Sequence, residues 1–321
     1  MQEYWVYRVD LSPYQGRDFP ASERELINRL NGFHYLERLP TTDDGPGVLI
    51  TNTNTHFDQL IESPLVQSRK VSLIIHPNSG YDNIPAAWVA QESTPPIIIG
   101  NPIRQAAVTE YIVSALCSHF TKITPRSSWD HQRRWKRPLL KEKRLLIIGF
   151  GHIGSALAEV VRPLVKEVTI YDPYKGHPNL SIPAADIVAL CAGLNPTSKQ
   201  LVDRHFLAQL PSNYLLINGA RGGLVDEDAL FNSLKNNPDA HAFLDVFATE
   251  PLPSSHPFYQ LTNITLSSHI AGVYQGLDDS ILEFEASSLN EFYRLKGEGN
   301  SLKKSFANLL LQSRLQEDFL I

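Results

Sequence analysis

Two α/β domains, each built on a doubly wound parallel sheet, are the fold class that the sequence predicts, and three observations predict it. Apolar runs of strand length alternate with amphipathic stretches of helical length along nearly the whole chain, the pattern of a parallel sheet covered on both faces. A glycine-rich turn at 149–154 joins one such run to one such helix, where sheets of this kind bind ligands. Two longer helical stretches, at 105–120 and 277–295, flank the central part and separate it from both chain ends. At 321 residues the chain is long enough for two cores. The expected boundaries are a discontinuous domain from 1–100 and 277–321, and an inserted domain from 101–276.

In the first hundred residues the candidate strands are Tyr4–Val9, Phe33–Leu36, Val48–Thr51, Val71–His76 and Ile97–Ile99. Candidate helices lie at Ser22–Leu30 and Phe57–Glu62. The segment Asn78-Ser-Gly-Tyr-Asp-Asn83 follows a strand directly, and such a turn offers backbone N–H groups at the carboxyl end of a sheet. Taken alone it is as readily an ordinary turn. Asn101-Pro102 breaks the pattern, and Gln105–Phe120 then carries apolar residues at Val108, Ile112, Ala115 and Leu116, a helical spacing. Pro125–Leu140 is polar, aromatic and basic, and reads with Lys141–Arg144 as a solvated connector. Six further strands follow at Leu145–Ile148, Val168–Tyr171, Ile187–Leu190, Tyr214–Asn218, Ala242–Val246 and Ile264–Ser267, with helices at Asp203–Leu210 and Asp226–Lys235 among them. Leu277–Leu295 reads as a long helix returning the chain to the first domain. The tail from Asn300 to Ile321 reads as helical; its apolar face needs a partner, and a second subunit is the surface expected to supply it.

The stretch with most chemical content runs from Leu145 to Asp172. Leu145–Ile148 is a strand buried on both faces, Gly149, Gly151 and Gly154 have the spacing G-x-G-x-x-G, and Ile153, Ala156, Leu157, Val160, Val161 and Leu164 fall at helical intervals. A second apolar run ends on Asp172, eighteen residues after the last glycine. The first glycine makes the tight turn, the second lets backbone approach a pyrophosphate, and the third lets helix pack close on strand. The helix N-terminus supplies N–H groups and a positive dipole end, so Gly149, Gly151, His152, Ile153 and Gly154 are the expected phosphate cradle. Asp172 is placed to accept from the adenosine ribose, and its charge favours NAD over NADP, although Lys175 lies close by.

Composition excludes several classes. A net charge of −5 supplies no positive field for nucleic acid. The two cysteines, Cys117 and Cys191, form no spaced framework, which fits a reducing compartment, and no apolar run reaches membrane-spanning length. The N-terminus lacks a secretory pattern, so a cytoplasmic protein is expected. The eleven histidines are scattered without paired ligand spacing, so no metal is expected.

Three polar residues stand just after strands of the second sheet: Arg221, Glu250 and His269. Hydride transfer to a 2-oxo acid needs such a set. A guanidinium binds a carboxylate in bidentate fashion and polarises the neighbouring carbonyl. An imidazole exchanges a proton with the developing alkoxide, and a carboxylate behind it fixes its tautomer. Each alone has a bland reading, as a turn cap, a solvated loop acid or a satisfied histidine. Their arrival on one edge of a nucleotide-binding sheet favours the set.

The blocks Gly149-Phe-Gly-His-Ile-Gly154 with Asp172, Leu216-Ile-Asn-Gly-Ala-Arg-Gly-Gly-Leu-Val-Asp-Glu-Asp-Ala-Leu230, Leu244-Asp-Val-Phe-Ala-Thr-Glu-Pro251 and Ser268-His-Ile-Ala-Gly272 resemble, in this order and spacing, the D-isomer-specific 2-hydroxyacid dehydrogenase family. The resemblance covers nearly the whole chain. It implies a Rossmann nucleotide-binding domain inserted in a flavodoxin-like substrate domain, a cleft between them, NAD as cofactor and a homodimer formed through the nucleotide domain. It implies Arg221 as the substrate-carboxylate arginine, His269 as acid/base and Glu250 as its partner. Asp245 would hold the nicotinamide carboxamide, Ala220 would border the cofactor, and the Asn78, Ser79 and Gly80 turn would bind the substrate carboxylate. Departures are Leu190-Cys-Ala-Gly-Leu194 in place of an apolar-His-x-Pro-Leu segment, Gly219 for Thr or Ser, Ser268 for Pro, and His76-Pro77, which makes His76 a residue that could face substrate. The substrates implied are small 2-oxo or D-2-hydroxy acids, among them glyoxylate, hydroxypyruvate and phosphoglycerate. The rival readings are a formate- or phosphite-type dehydrogenase and a nucleotide-sensing, corepressor-like scaffold on the same fold.

Overall fold

The computed structural model describes residues 2–121, 123, 125, 127–133, 135, 137–295, 299–306 and 309–316. The chain forms two compact units, one of residues up to 104 together with those from 273, the other of residues 105–272.

The first unit holds strands β1 (Tyr4–Arg8), β2 (Phe33–Tyr35), β3 (Gly47–Ile50), β4 (Val71–His76) and β5 (Ile97–Ile99), with helices α1 (Phe19–Asn28), α2 (Phe57–Glu62), α3 (Pro64–Gln67) and α4 (Ala86–Val89) between them. The strands are all parallel in the order β2-β1-β3-β4-β5, the flavodoxin-like arrangement. Successive strand residues serve opposite faces. Val6, Val48, Ile50, Ile75 and Ile98 pack on one side, and Trp5, Leu49, Ile74, Ile97 and Ile99 on the other. Each such side chain, taken wholly out of water, contributes about 1.5–3 kcal/mol before entropy is counted. Helix α1 begins three residues earlier than expected because Pro20 sits in its first turn, where its missing N–H costs nothing.

The second unit begins with α5 (Gln105–Phe120) and carries β6 (Arg144–Ile148), α6 (His152–Val161), β7 (Glu167–Tyr171), β8 (Ile187–Leu190), α7 (Arg204–Ala208), β9 (Leu215–Asn218), α8 (Glu227–Asn236), β10 (His241–Leu244) and β11 (Ile264–Leu266). Its parallel sheet has the order β11-β10-β9-β8-β6-β7. This is a Rossmann-type sheet without the outermost strand of its first half. Residues 172–186 form only short 3₁₀ turns there. Pro173, Pro178 and Pro183 in that segment cannot donate to a strand ladder. The order still reverses between β6 and β8, which places the ligand crevice at the carboxyl ends of those strands.

From 273 the chain returns to the first unit through α9 (Leu277–Arg294), α10 (Gly299–Ser305) and α11 (Leu311–Gln316). Four apolar side chains of the tail are buried without a second subunit. Leu302, Phe306, Leu310 and Leu311 are buried in the first unit's own cores. Leu310 bridges Ile98 antiparallel, Ile99 N donates to Leu309 O at 2.9 Å, and Gln312 bonds Ile97 N and Pro95 O. The tail therefore covers the open edge of β5, which would otherwise present unpaired backbone groups. Phe319 and the side chain of Leu315 lie outside what is described.

A buried polar cluster ties the returning helix to the sheet. Arg8 of β1 donates to Glu23 of α1 at 2.6 and 2.8 Å and to Glu285 of α9 at 2.5 Å, and Tyr35 donates to Glu23 at 3.0 Å. One guanidinium faces two carboxyl groups. Burial, with Glu23 as neighbour, pushes Glu285 well above the ordinary carboxyl range even against the pull of Arg8.

Candidate active site

The glycine turn between β6 and α6 uses its three glycines differently. Gly149 has φ +92°, and a Cβ there would lie 2.6 Å from Ala192 Cα. At Gly151 a Cβ would meet nothing within 4 Å, so the space beside this backbone is open. At Gly154 a Cβ would lie 2.0 Å from Gly149 O, because helix and turn are in contact. Among the described residues the backbone N–H groups of Gly151, Ile153 and Gly154 make no hydrogen bond. His152 occupies the first position of α6. Open space beside unpaired donors at a helix N-terminus suits a pyrophosphate. The altered segment after β8 leaves this frame intact, since Cys191 N donates to Ile148 O at 2.7 Å.

Asp172, at the end of β7, has no exposed surface. Its Oδ2 accepts from Phe150 N at 2.7 Å, which ties the glycine turn to the neighbouring strand. Its Oδ1 is buried without a partner. A ribose hydroxyl would supply the donor that this oxygen lacks, so the residues present fit an adenine dinucleotide. Residues 172–177 close on themselves through Asp172 N to His177 O and His177 N to Asp172 O, both 2.9 Å. The His177 ring lies edge-on to Phe150 at 5.1 Å.

On the same carboxyl edge the loops after β9, β10 and β11 bring Arg221, Glu250 and His269 together. The loop after β9 lies tight against the one after β10; a Cβ on Gly222 would sit 1.9 Å from the Phe247 carbonyl carbon. Asn218 braces Ala220 and Arg221 by accepting from Ala220 N and donating to Arg221 O. Gly219 does not need to be glycine, since a Cβ would meet only ordinary contacts at 3.6 Å and beyond. Glu250 Oε1 accepts from Phe247 N at 2.9 Å, and Oε2 pairs with His269 Nδ1 at 2.7 Å. Burial raises Glu250, but the bonds from His269 and Phe247 and the nearby charges of His269 and Arg221 outweigh it, so the carboxyl is held below its ordinary value. An ionised Glu250 accepts the hydrogen bond from Nδ1–H, which fixes the tautomer with Nε2 of His269 as the nitrogen for exchange with substrate.

His269 has φ +55°, a left-handed backbone that costs a non-glycine residue roughly 1–2 kcal/mol. Asp245 holds it there. Its carbonyl accepts from His269 N, its Oδ1 from Ser267 Oγ and Ile270 N, and its Oδ2 from Ala271 N, at 2.6–2.8 Å. Tyr111 of α5 completes the chain by bonding Ser267 Oγ at 2.8 Å. The carboxamide role that the resemblance gives Asp245 belongs to a side chain with no exposed surface, engaged on both oxygens by the loop carrying His269. Ser267 and Tyr111 escaped sequence reasoning. Ser267 is adjacent to the histidine block, but nothing in α5 marks Tyr111.

In the first unit Asn78, Ser79 and Gly80 follow β4 as expected. Among the described residues the N–H groups of Ser79 and Gly80 make no hydrogen bond, and these are the donors an anion would need. His76 does not face a ligand. It is fully buried, with Nδ1 2.9 Å from Thr51 Oγ1 and Nε2 2.9 Å from Gly80 O. Among the described residues no group of histidine, cysteine and acidic side chains is placed to hold a metal ion.

A dinucleotide turn at a sheet's switch point, with an Arg–Glu–His set along the same edge, defines the class of nicotinamide-dependent oxidoreductases. Residues 113–271 match the family model described as D-isomer specific 2-hydroxyacid dehydrogenase, NAD binding domain. The second unit therefore carries the NAD-binding domain of the D-isomer-specific 2-hydroxyacid dehydrogenase family. It is 28% identical to a glyoxylate reductase of Thermofilum pendens over 315 residues, 90% of this chain and 86% of that protein. It is 27% identical to a D-3-phosphoglycerate dehydrogenase of Methanocaldococcus jannaschii over 269 residues, 78% of this chain but only about half (49%) of that protein. The fold is similar to the NAD+-bound 3-phosphoglycerate dehydrogenase of Entamoeba histolytica, with a TM-score of 0.69, 17% identity, and 91% and 96% of the two chains covered.

Proposed function

We propose that the protein is an NAD-dependent dehydrogenase interconverting a small D-2-hydroxy acid and its 2-oxo acid. The observation that carries the reading is the 2.7 Å bond between Glu250 and His269, beside Arg221, on the edge that holds the dinucleotide turn. Bound NADH would supply the hydride to the carbonyl carbon. Arg221 pairs with the substrate carboxylate and polarises the adjacent carbonyl, lowering the cost of charge developing on its oxygen. His269 gives that oxygen a proton from Nε2 and takes it back in the reverse direction, while Glu250 keeps the ring in the correct tautomer and stabilises its cationic form. In the first unit, which we take as the substrate domain, the Ser79 and Gly80 N–H groups are donors suited to a carboxylate. Asp172 favours NAD over NADP.

No helix among the described residues is long and apolar enough to cross a membrane. Cys117 and Cys191 are unbridged, which supports a cytoplasmic setting. Trp129 and Trp135 are 69% and 50% exposed on the second unit, and their apolar surface supports a homodimer. A sedimentation mass of one chain would refute the dimer.

The test is loss of NADH absorbance with a panel of 2-oxo acids, repeated with NADPH and with His269→Ala. Turnover with one or more acids, preference for NADH, and loss of at least about 100-fold in His269→Ala are expected. Turnover that survives the substitution would remove His269 from the chemistry. Tight NADH binding without turnover of any acid would favour the sensing scaffold.

A further inference from the structure

We propose that His76 is a positioning residue for the carboxylate-binding turn, acting through Thr51 and the Gly80 carbonyl. The inference rests on the reading of Ser79 and Gly80 given above and explains how this chain prepares them. His76 closes β4, in which Val71, Leu73, Ile74 and Ile75 are buried apolar side chains. An imidazole with no exposed surface is costly unless both nitrogens are bonded, and here both are. The Gly80 carbonyl only accepts, so Nε2 of His76 carries the proton. Nδ1 shares its hydrogen bond with the Thr51 hydroxyl, 2.9 Å away. Thr51 is itself anchored, its N donating to Ile75 O at 2.9 Å.

The two sides of the turn are held differently. Before Ser79, Asn78 N donates to His76 O at 2.7 Å, Gly100 N to Asn78 O at 3.1 Å, and Arg104 to Pro77 O at 2.9 Å. At Gly80 the bond is the one from His76 Nε2, at 2.9 Å. A peptide group is planar, so fixing the Gly80 carbonyl also fixes the plane that follows. With the chain tied at Asn78 and at Gly80, the N–H groups of Ser79 and Gly80 are held before a ligand arrives. Ordering that precedes binding is not charged against affinity. From the sequence His76 is a residue that could face substrate; its burial and bonding place it behind the turn.

The experiment compares wild type, His76→Asn, His76→Gln and Thr51→Val in the intact chain. Asn retains an acceptor toward Thr51 but is too short to reach Gly80, whereas Gln can extend an amide N–H to that carbonyl. Read out are KM and kcat for the best 2-oxo acid, the NADH dissociation constant, oxalate binding by calorimetry, and amide hydrogen exchange in the segment 76–84. Loss of one buried hydrogen bond should raise the His76→Asn KM about five- to tenfold. kcat and NADH affinity should stay within about twofold, and exchange in the segment should accelerate. His76→Gln should recover most of the KM, and Thr51→Val should fall between. Unchanged exchange and KM in His76→Asn would overturn the proposal, as would equal damage to KM, kcat and NADH affinity, or failure of Gln to rescue. If wild type turns over no acid, the proposed activity fails on its own account. Exchange and oxalate binding then still decide: both altered in His76→Asn supports the positioning role, and both unchanged overturns it.

Discussion

Gly151 and Gly154 lie in one turn, and the structure assigns their substitutions opposite consequences. Alanine at 154 would put a Cβ 2.0 Å from Gly149 O, 3.0 Å from Gly149 C and 3.3 Å from Ile147 Cγ2. Two of these atoms are backbone, and Cβ atoms essentially never approach a heavy atom within 3.0 Å. Helix α6 would have to withdraw from the turn by at least about 1 Å, disturbing Leu157 and Val161 in the core beneath it. Overpacking of this kind costs about 1–3 kcal/mol, with the upper end expected where backbone must move. Alanine at 151 meets nothing within 4 Å, at φ −76°, a conformation open to any residue. Its stability should equal wild type or exceed it by about 0.4–1 kcal/mol, because the unfolded chain loses freedom. Its Cβ would instead occupy the space beside the unpaired N–H groups, so NADH affinity should fall at least about tenfold, or 1.4 kcal/mol. Denaturant unfolding gives the first quantity and fluorescence titration with NADH the second. Gly154→Ala should lose stability; Gly151→Ala should lose binding alone. Wild-type NADH affinity in Gly151→Ala would refute the assignment of this cradle to the pyrophosphate.

Two further outcomes follow from buried carboxyl groups. Asp172→Ala removes both the tie to Phe150 N and the oxygen awaiting a donor, so NADH affinity should fall by about tenfold or more. NADPH should lose less, because repulsion of the 2′-phosphate goes with the charge; equal losses would sink this account of cofactor choice. For Glu285 the sign runs from its raised position in the folded state. The native chain keeps a proton that the unfolded chain releases above the ordinary carboxyl value, so this group's contribution is complete at low pH and is lost as pH rises. Glu285→Gln stays neutral at every pH, and its melting temperature should gain on wild type between about pH 5 and pH 8. A gap that stays constant across that window would show that Glu285 is ionised in the folded protein.

Much of this was readable from local pattern. Runs such as Leu145–Ile148 and Ile97–Ile99 are apolar throughout because strands covered on both faces leave no side for a polar residue. Gly149, Gly151 and Gly154 announce their turn because each answers a constraint that acts within a few residues. Arg221, Glu250 and His269 were placed by counting from strand ends, since every parallel strand delivers its carboxyl end to the same edge. The want of a strand between β7 and β8 was not drawn from the sequence, although Pro173, Pro178 and Pro183 give its local reason.

Where long-range contact chooses the partner, local pattern carried less. The tail's apolar residues demanded burial, but whether a second subunit or the chain's own β5 edge would cover them depended on where that edge lay in space. The sequence shows Asp245, Ser267 and Tyr111 as three separated polar residues; packing of α5 against the β11 loop makes them one brace behind His269. His76 reads as a reactive side chain beside a turn until its neighbours Thr51 and Gly80 are seen closing over both nitrogens. A backbone pattern is set by the residues next in the chain, whereas the partner of a buried polar group is whatever the folded chain brings within 3 Å, at any separation in sequence.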